Sequence, residues 1–422
     1  MKKTILTILS CASLWCAQAQ NAYNLGADIS MLPQYEKAGT AYYTYSGMKI
    51  PNVLDYLKNS VQMNSMRVRL FVNPTATTDD PTLVQNLDYV TALGKRIKDA
   101  GLDFMLDFHY SDTWADPSHQ SIPAQWKSAK TNDEMADLLY NYTKECLEHL
   151  KENGATPDFV QVGNEISYGM LWRDGVAGDK LYNSGSNWGR FYQFLKAGTK
   201  AVREVTPDAK IVLHIERTKD ANACRNFFTN IKNNSVDYDI IGLSYYPFWH
   251  GDLTALSNTL NTLATAFPDK PVQIVETAYF YSNFPTDKPD EYTNTTGTWA
   301  ATQAGQKKFI EELCETLAAH NNVTGLYYWY PEENGSGSND TPTQTAWLNR
   351  GLWDNDSHKA TKGLLSLKNF LAEKEAVGIE GIQADDTPKT ADAPIYNLNG
   401  QRVKAMDASG IYIRGGKKYL SK

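Results

Sequence analysis

Eight short apolar runs alternate with longer stretches of helical spacing, and this alternation restricts the fold more than any other feature of the chain. The runs are NLGADI (24–29), SMRVRLFV (65–72), DFMLDFH (103–109), DFVQVG (158–163), KIVLHI (210–215), DIIGLSYY (239–246), PVQIVE (271–276) and TGLYYWY (324–330). Runs of this kind suit strands covered by helices on a parallel sheet. Between them, Met135, Leu138, Leu139, Tyr142, Cys146 and Leu150 fall on one face of a predicted helix over 132–152, with Asn132 capping its start and ENG its end. Leu83, Leu87, Val90, Leu93 and Ile97 predict another over 81–99. Eight such units in about 350 residues predict a (β/α)8 TIM barrel, with its chemistry at the C-terminal strand ends. The structural alternative is a doubly wound sheet. It usually carries a glycine-rich phosphate loop after its first strand, and GADISMLPQYEKAG is no such loop.

The barrel is expected over 20–375. Residues 1–19 read as a signal peptide, with Lys2 and Lys3 ahead of an apolar stretch and AQA for cleavage near Ala19. Cys11 and Cys16 leave a lipoprotein as the second reading, although Trp15 suits a lipidated Cys16 poorly. No other run approaches the roughly 18 apolar residues of a membrane span. Export to the periplasm, the cell surface or the medium follows. Cys146, Cys224 and Cys314 then remain, and three thiols make no disulfide framework, so buried free cysteines are expected. Small and acidic residues mark 376–390 as a linker. Residues 391–422 predict a short β-rich tail with a turn at Asn399-Gly400, too small for a core of its own. The tail is similar to the short C-terminal tails of some exported bacterial enzymes. A net charge of −7 argues against nucleic acid as partner, and a 12% aromatic content suits a neutral ligand. A monomer is expected.

QVGNEISYGMLW (161–172) places Asn164 and Glu165 where the fourth run ends, and PVQIVETAYFY places Glu276 at the end of the seventh. Strands four and seven can face each other across a barrel mouth. Two carboxyls about 5 Å apart there suit the acid/base and nucleophile of a retaining glycosidase. The two tasks require environments that separate their proton affinities. The plainer reading is that each glutamate caps a helix start. It accounts less well for two strand-end glutamates that both precede aromatics. Asn164 is placed to bond a sugar 2-hydroxyl. Arg67 and Arg69 share one face of their strand, and Arg69, nearer its C-terminal end, is expected to hold Glu276 ionised. A structural ion pair is the alternative.

His109 and Asp116, in DFHYSDTWADPSHQ, are expected to line the site. A zinc site on His109 and His119 is the rival, but its spacing matches no usual ligand pattern. LSYYPFWHG offers Tyr245 as a donor to the nucleophile and Trp249 as an apolar ring, and YYWYPEEN sets Trp329 at the mouth. Rings take the C–H faces of sugars while polar groups take the hydroxyls. A non-catalytic glycan-binding protein would show such rings without matched carboxylates. A barrel isomerase or aldolase would want a strand-end lysine or a phosphate site, and neither is evident.

Together LGADISMLPQYEKAG, MRVRLFVNP, LDFHYSDTWADPSHQSIPAQW, VQVGNEISYGMLW, IGLSYYPFWHG and VETAYFY resemble the arabinogalactan endo-β-1,4-galactanases over roughly residues 22–375. These retaining glycosidases belong to a clan with a barrel fold and glutamates on strands four and seven. The resemblance implies hydrolysis of β-1,4-galactosidic links in pectic galactan, with Glu165 as acid/base and Glu276 as nucleophile. Asn164, Arg69, His109, Tyr245 and Trp329 would surround the cleaved bond. No cofactor is required. Some members hold calcium in the loops after strands seven and eight, and here 283–299 and 334–358 offer oxygens without a fixed calcium spacing. The same chemistry on mannan, xylan or cellulose stays open, because epimers differ only in hydroxyl direction.

Overall fold

The computed structural model describes residues 23–77, 80–173, 178–284, 298–334, 347–380, 394–397, 401–406, 410–414 and 417–421. The strands are β1 (Asn24–Asp28), β2 (Ser65–Leu70), β3 (Asp103–Phe108), β4 (Phe159–Val162), β5 (Lys210–Ile215), β6 (Ile240–Ser244), β7 (Val272–Glu276) and β8 (Val323–Trp329). Each pairs in parallel with the next, and β1 also pairs with β8, so the sheet closes on itself. The expected runs and the observed strands differ only at their ends. After each strand in turn comes one of α1 (Val53–Asn59), α2 (Leu87–Asp99), α3 (Asn132–Glu152), α4 (Gly185–Val205), α5 (Ala221–Asn233), α6 (Leu253–Ala266), α7 (Gln303–Ala318) and α8 (Asn369–Glu380). The architecture is a (β/α)8 barrel.

Helix starts correct the sequence reading twice. α3 has the expected bounds, but Thr131 caps it, because its hydroxyl accepts from the Glu134 N–H while Glu134 reaches back to the cap. α2 begins later than expected, at Leu87, where Asn86 accepts from the Tyr89 N–H. The preceding residues turn instead around Asp80, which accepts from the Thr82 N–H, and Leu83 is buried without being helical. α8 continues to Glu380, into the segment expected as linker.

The main core lies between barrel and helices, and Cys146, Cys224 and Cys314 are free and buried, as expected. A second cluster fills the lower barrel interior: Met105, Phe159, Val212, Ile240, Val275 and Tyr327. Gly26 makes room for it, since a Cβ there would sit 2.6 Å from the Tyr327 ring. The tail forms a small antiparallel sheet of β9 (Ile395–Asn397), β10 (Arg402–Val403), β11 (Gly410–Arg414) and β12 (Lys417–Ser421), ordered β10-β9-β11-β12. The expected turn at Asn399-Gly400 and the signal segment 1–19 lie outside the described residues. Among the described residues no helix is long and apolar enough to cross a membrane.

Candidate active site

One alternation above the apolar cluster, the inward side chains turn polar. Met105 gives way to Asp107, Phe159 to Gln161 and Val212 to His214, as the two-residue strand period requires. Asp28, Arg67, Arg69 and Ser244 complete this buried layer. Above it opens a cavity of about 1520 Å³ whose lining includes His109, Trp114, Glu165, Tyr246, Glu276 and Trp329.

Backbone irregularities aim the two glutamates. Glu165 sits in the left-handed region, with φ 47° and ψ 53°, directly after a β4 exit that turns through Gly163 at φ 89°. A non-glycine residue there costs on the order of 1–3 kcal/mol and persists only where its surroundings impose it. Here the Glu165 N–H reaches His214 Nδ1 at 3.4 Å, and Gln120 Nε2 donates to the Asn164 carbonyl at 2.8 Å. On the other side, the β6–β7 register shifts between Leu243 and Ser244, which sets Ser244 opposite Glu276. Such irregularities re-aim side chains beside functional sites.

Ser244 Oγ donates to Glu165 Oε1 at 2.6 Å and lies 3.5 Å from Glu276 Oε2. One carboxylate oxygen of each glutamate lies within 4.8 Å of the other. Their surroundings differ. Arg67 Nη2 pairs with Glu276 Oε1 at 2.9 Å, and Tyr246 donates to Oε2 at 3.0 Å. Glu165 meets no cation among the described residues. Burial raises the proton affinity of both carboxyls. For Glu165 the charges of Glu276 and Glu216 add to the effect and outweigh the opposing Ser244 hydrogen bond, so its pKa stands well above the carboxylate range. Glu276 is pushed up to about 7 by burial, with Arg67 pulling hardest in the other direction. The proton of the pair therefore belongs on Glu165, the member without a cation.

His214 is kept neutral by burial and by Arg67. Its Nδ1 faces the Gln161 Nε2 donor at 3.1 Å as well as the Glu165 N–H. Asn164 Oδ1, which also accepts from Arg67, lies 3.0 Å from Nδ1 as well. Ser244 gives its one hydrogen to Glu165, so at 2.8 Å it accepts from His214 Nε2, which assigns the ring hydrogen to Nε2. A directed chain follows: His214 to Ser244 to Glu165 Oε1. Glu165, His214 and Glu276 form a triangle of potential metal ligands, but His214 and Glu276 already have these protein partners.

Most of the expected residues converge here. Asn164 lines the cavity, with Oδ1 accepting from Arg67 Nη2 at 2.9 Å and Nδ2 donating to the Ala115 carbonyl at 2.7 Å. His109 lines it too, and both its ring nitrogens are engaged, by the Ala115 N–H at 3.0 Å and by Asp107 at 3.1 Å. Asp116 pairs with His119 at 2.8 Å on the rim, which leaves no His109–His119 zinc arrangement. Trp249 and Trp329 line the cavity together with Trp347, whose ring lies 4.4 Å from that of Trp329.

Two expectations are corrected. Arg69 does not reach Glu276. It pairs with Asp28 at 3.0 Å and packs its guanidinium 4.6 Å from the Trp114 ring. Arg67, one step deeper on the axis, reaches Asp28, Asp107 and Glu276 at once. Tyr245 does not donate to the nucleophile position. Its hydroxyl donates to the Gly251 carbonyl and its ring packs on Phe309 of α7. Tyr246 shares the inward side with Ser244, so alternation gives it the contact. The sequence reading also missed His214 and Ser244, whose signal was a polar residue set inside an apolar strand. Most of the two loops offered for calcium lies outside the described residues. Where they are described, Asn334 Oδ1 is engaged by His358, and Asp354 Oδ1 accepts from Ser357.

A closed parallel barrel that holds two glutamates over one buried cation, at the ends of β4 and β7, has the form of a retaining glycoside hydrolase. The chain belongs to glycosyl hydrolase family 53, whose family model matches residues 24–369. It is 36% identical to a probable arabinogalactan endo-β-1,4-galactanase A of Neosartorya fischeri over 343 residues, 77% of this chain and 88% of the relative. Its fold is similar to the family 53 catalytic domain of Ignisphaera aggregans, with a TM-score of 0.72, 31% identity, and coverage of 83% and 96% of the two chains. A fungal β-1,4-galactanase gives a TM-score of 0.66 at 29% identity, with coverage of 82% and 98%.

Proposed function

We propose that this glycoside hydrolase is an endo-β-1,4-galactanase that acts with retention. The carrying observation is the pair of glutamates within 4.8 Å, only one of which is clamped by Arg67. In the first step, ionised Glu276 attacks the anomeric carbon while Glu165 gives its proton to the leaving oxygen. In the second, Glu165, now ionised, takes a proton from water, which displaces Glu276 and restores the original configuration. The Ser244 hydrogen bond to Glu165 Oε1 leaves Oε2 as the oxygen that carries the travelling proton. Tyr246 and Arg67 hold the attacking carboxylate in place. Both carboxyls are side chains of the protein, so the scheme uses no cofactor.

The galactan assignment rests on the relatives, two of which bear galactanase in their names. The cavity exceeds the roughly 300–1,000 Å³ of a small-ligand site, which favours a chain substrate cut internally. Proton NMR of the first sugar released from galactan tests the mechanism: a β-anomer is expected, and an α-anomer overturns retention. Cleavage of mannan or xylan in preference to galactan would transfer the same mechanism to another glycan.

The reading includes export through the 1–19 leader, action as a monomer, and calcium only as a stabilising ion. N-terminal sequencing of the mature enzyme, light scattering, and melting with a chelator test these points.

A further inference from the structure

We propose that Tyr182, with Tyr168, forms a platform for the leaving-group portion of the substrate chain, beyond the sugar next to the cleaved bond. The proposal rests on the galactanase reading above and names an acceptor-side site for it.

Glu165 protonates the leaving oxygen, so the wall that continues from Glu165 flanks the departing chain. That wall is the short 3-10 helix Ile166–Tyr168. Tyr168 lines the cavity together with Glu216 and Arg217 from the end of β5. The two loops are clamped together. Ser167 Oγ donates to Glu216, and Arg217 Nη1 donates to the Tyr168 hydroxyl at 3.1 Å. Tyr168 is thus a partly exposed ring in a set orientation, with a carboxylate and a guanidinium beside it.

Tyr182 extends this surface outward. Its ring stands edge-on to that of Tyr168, 6.0 Å away and at 81°, so it presents a separate face, and the residue is 52% exposed. Trp188 backs it at 5.5 Å. Its presentation is built in. Leu181, the preceding residue, is buried against Gly169, where a Cβ would lie 3.2 Å from the leucine side chain and φ is 97°. Asp179 is buried between Arg173 at 2.6 Å and Arg190 at 3.3 Å. Lys180 and Arg217 lie over the Tyr168 ring at 5.6 and 5.4 Å, so Tyr182 offers the ring for stacking and Tyr168 its support. A half-exposed tyrosine on a braced support, continuous with a catalytic cavity and flanked by charged hydrogen-bonding groups, matches a pyranose: C–H face on the ring, hydroxyls on the polar neighbours.

The experiment compares Tyr182→Ala and Tyr182→Phe with the parent enzyme on galactan and on an aryl β-galactobioside, whose leaving group carries no sugar. On galactan, Tyr182→Ala is expected to lower kcat/KM about 3- to 10-fold, chiefly through KM, and to change the product sizes. Tyr182→Phe should restore both. The loss should be confined to the substrate that has sugar on the leaving side. Unchanged galactan kinetics and product sizes in Tyr182→Ala would overturn the platform, and so would equal losses on both substrates, which mark structural damage. A parent enzyme inactive on galactan would refute the galactanase reading, and with it this occupant. That result is read before any variant is compared.

Discussion

The lower and upper halves of the barrel interior are built on the same strands and face the same axis, yet they obey opposite rules. Below, Met105, Phe159, Val212 and Ile240 make an apolar plug in which volume matters, and the few polar groups near it, such as the Tyr327 hydroxyl on Ser65, pair locally. One alternation higher, Asp107, Gln161 and His214, joined by Ser244 two alternations above Ile240, make a layer linked by hydrogen bonds. Buried ion pairs add little net stability once desolvation is counted. The Arg67 cluster therefore serves position and proton affinity, while the plug beneath supplies cohesion. On β3, β4 and β5, two residues of strand length separate stability from chemistry.

The sharpest way to break this division is Glu276→Gln. Turnover on galactan should fall by about 10⁴-fold or more, because the attacking group is gone. Melting should change little, because Arg67 keeps Asp28 and Asp107. Wild-type-like initial rates would remove Glu276 from its role.

Next comes Glu165→Gln, with an expected rate loss of about 10²–10⁴-fold. Its stability effect has a definite sign. The folded state raises the Glu165 proton affinity, so above the unfolded value near 4.3 it holds a proton that the unfolded chain has lost. The stability this contributes is complete below that pH and is lost as pH rises through the raised folded value. Glutamine cannot ionise, so the stability of Glu165→Gln relative to the parent should grow with pH. Melting curves from pH 4 to pH 9 measure it, and a gap that shrinks with pH would contradict the assignment.

In the plug, Phe159→Ala should cost about 3–5 kcal/mol in denaturant unfolding and leave the pH dependence of the folded enzyme unmoved. A displaced pH profile would show that the lower layer tunes the upper one. The smallest effect is expected from Tyr246→Phe, which loses one hydrogen bond to a charged group, about 1.5–3 kcal/mol. The Glu276 proton affinity should rise, moving the acidic limb of kcat/KM to higher pH. An unmoved limb would mean that Tyr246 does not steady the carboxylate.

The strands were legible because a parallel sheet covered on both faces writes itself as continuous apolar runs. The glutamates were legible because they close two of those runs. Depth along the axis was not. Arg67 and Arg69 have the same parity, and only the closed barrel shows which one reaches Glu276. Tyr245 and Tyr246 differ in parity, but the register shift at Leu243/Ser244 hides the count. His214 and Ser244 looked like isolated polar residues because their partners come from other strands. The α2 start was misread because Leu83 fits helical spacing while the backbone turns around Asp80.

Closure has its own consequence. β4 and β7 are not neighbours: β5 and β6 separate them on one side, and β8, β1, β2 and β3 on the other. The gap between Glu165 and Glu276 is therefore set by the curvature of the closed ring, and neither the β1–β4 half nor the β5–β8 half contains both residues. A partly assembled molecule would have most of its helices and no working pair. During refolding, cleavage of substrate should return only after the final seam has joined, later than the recovery of circular dichroism, so that hydrolysis reports the last stitch of the ring.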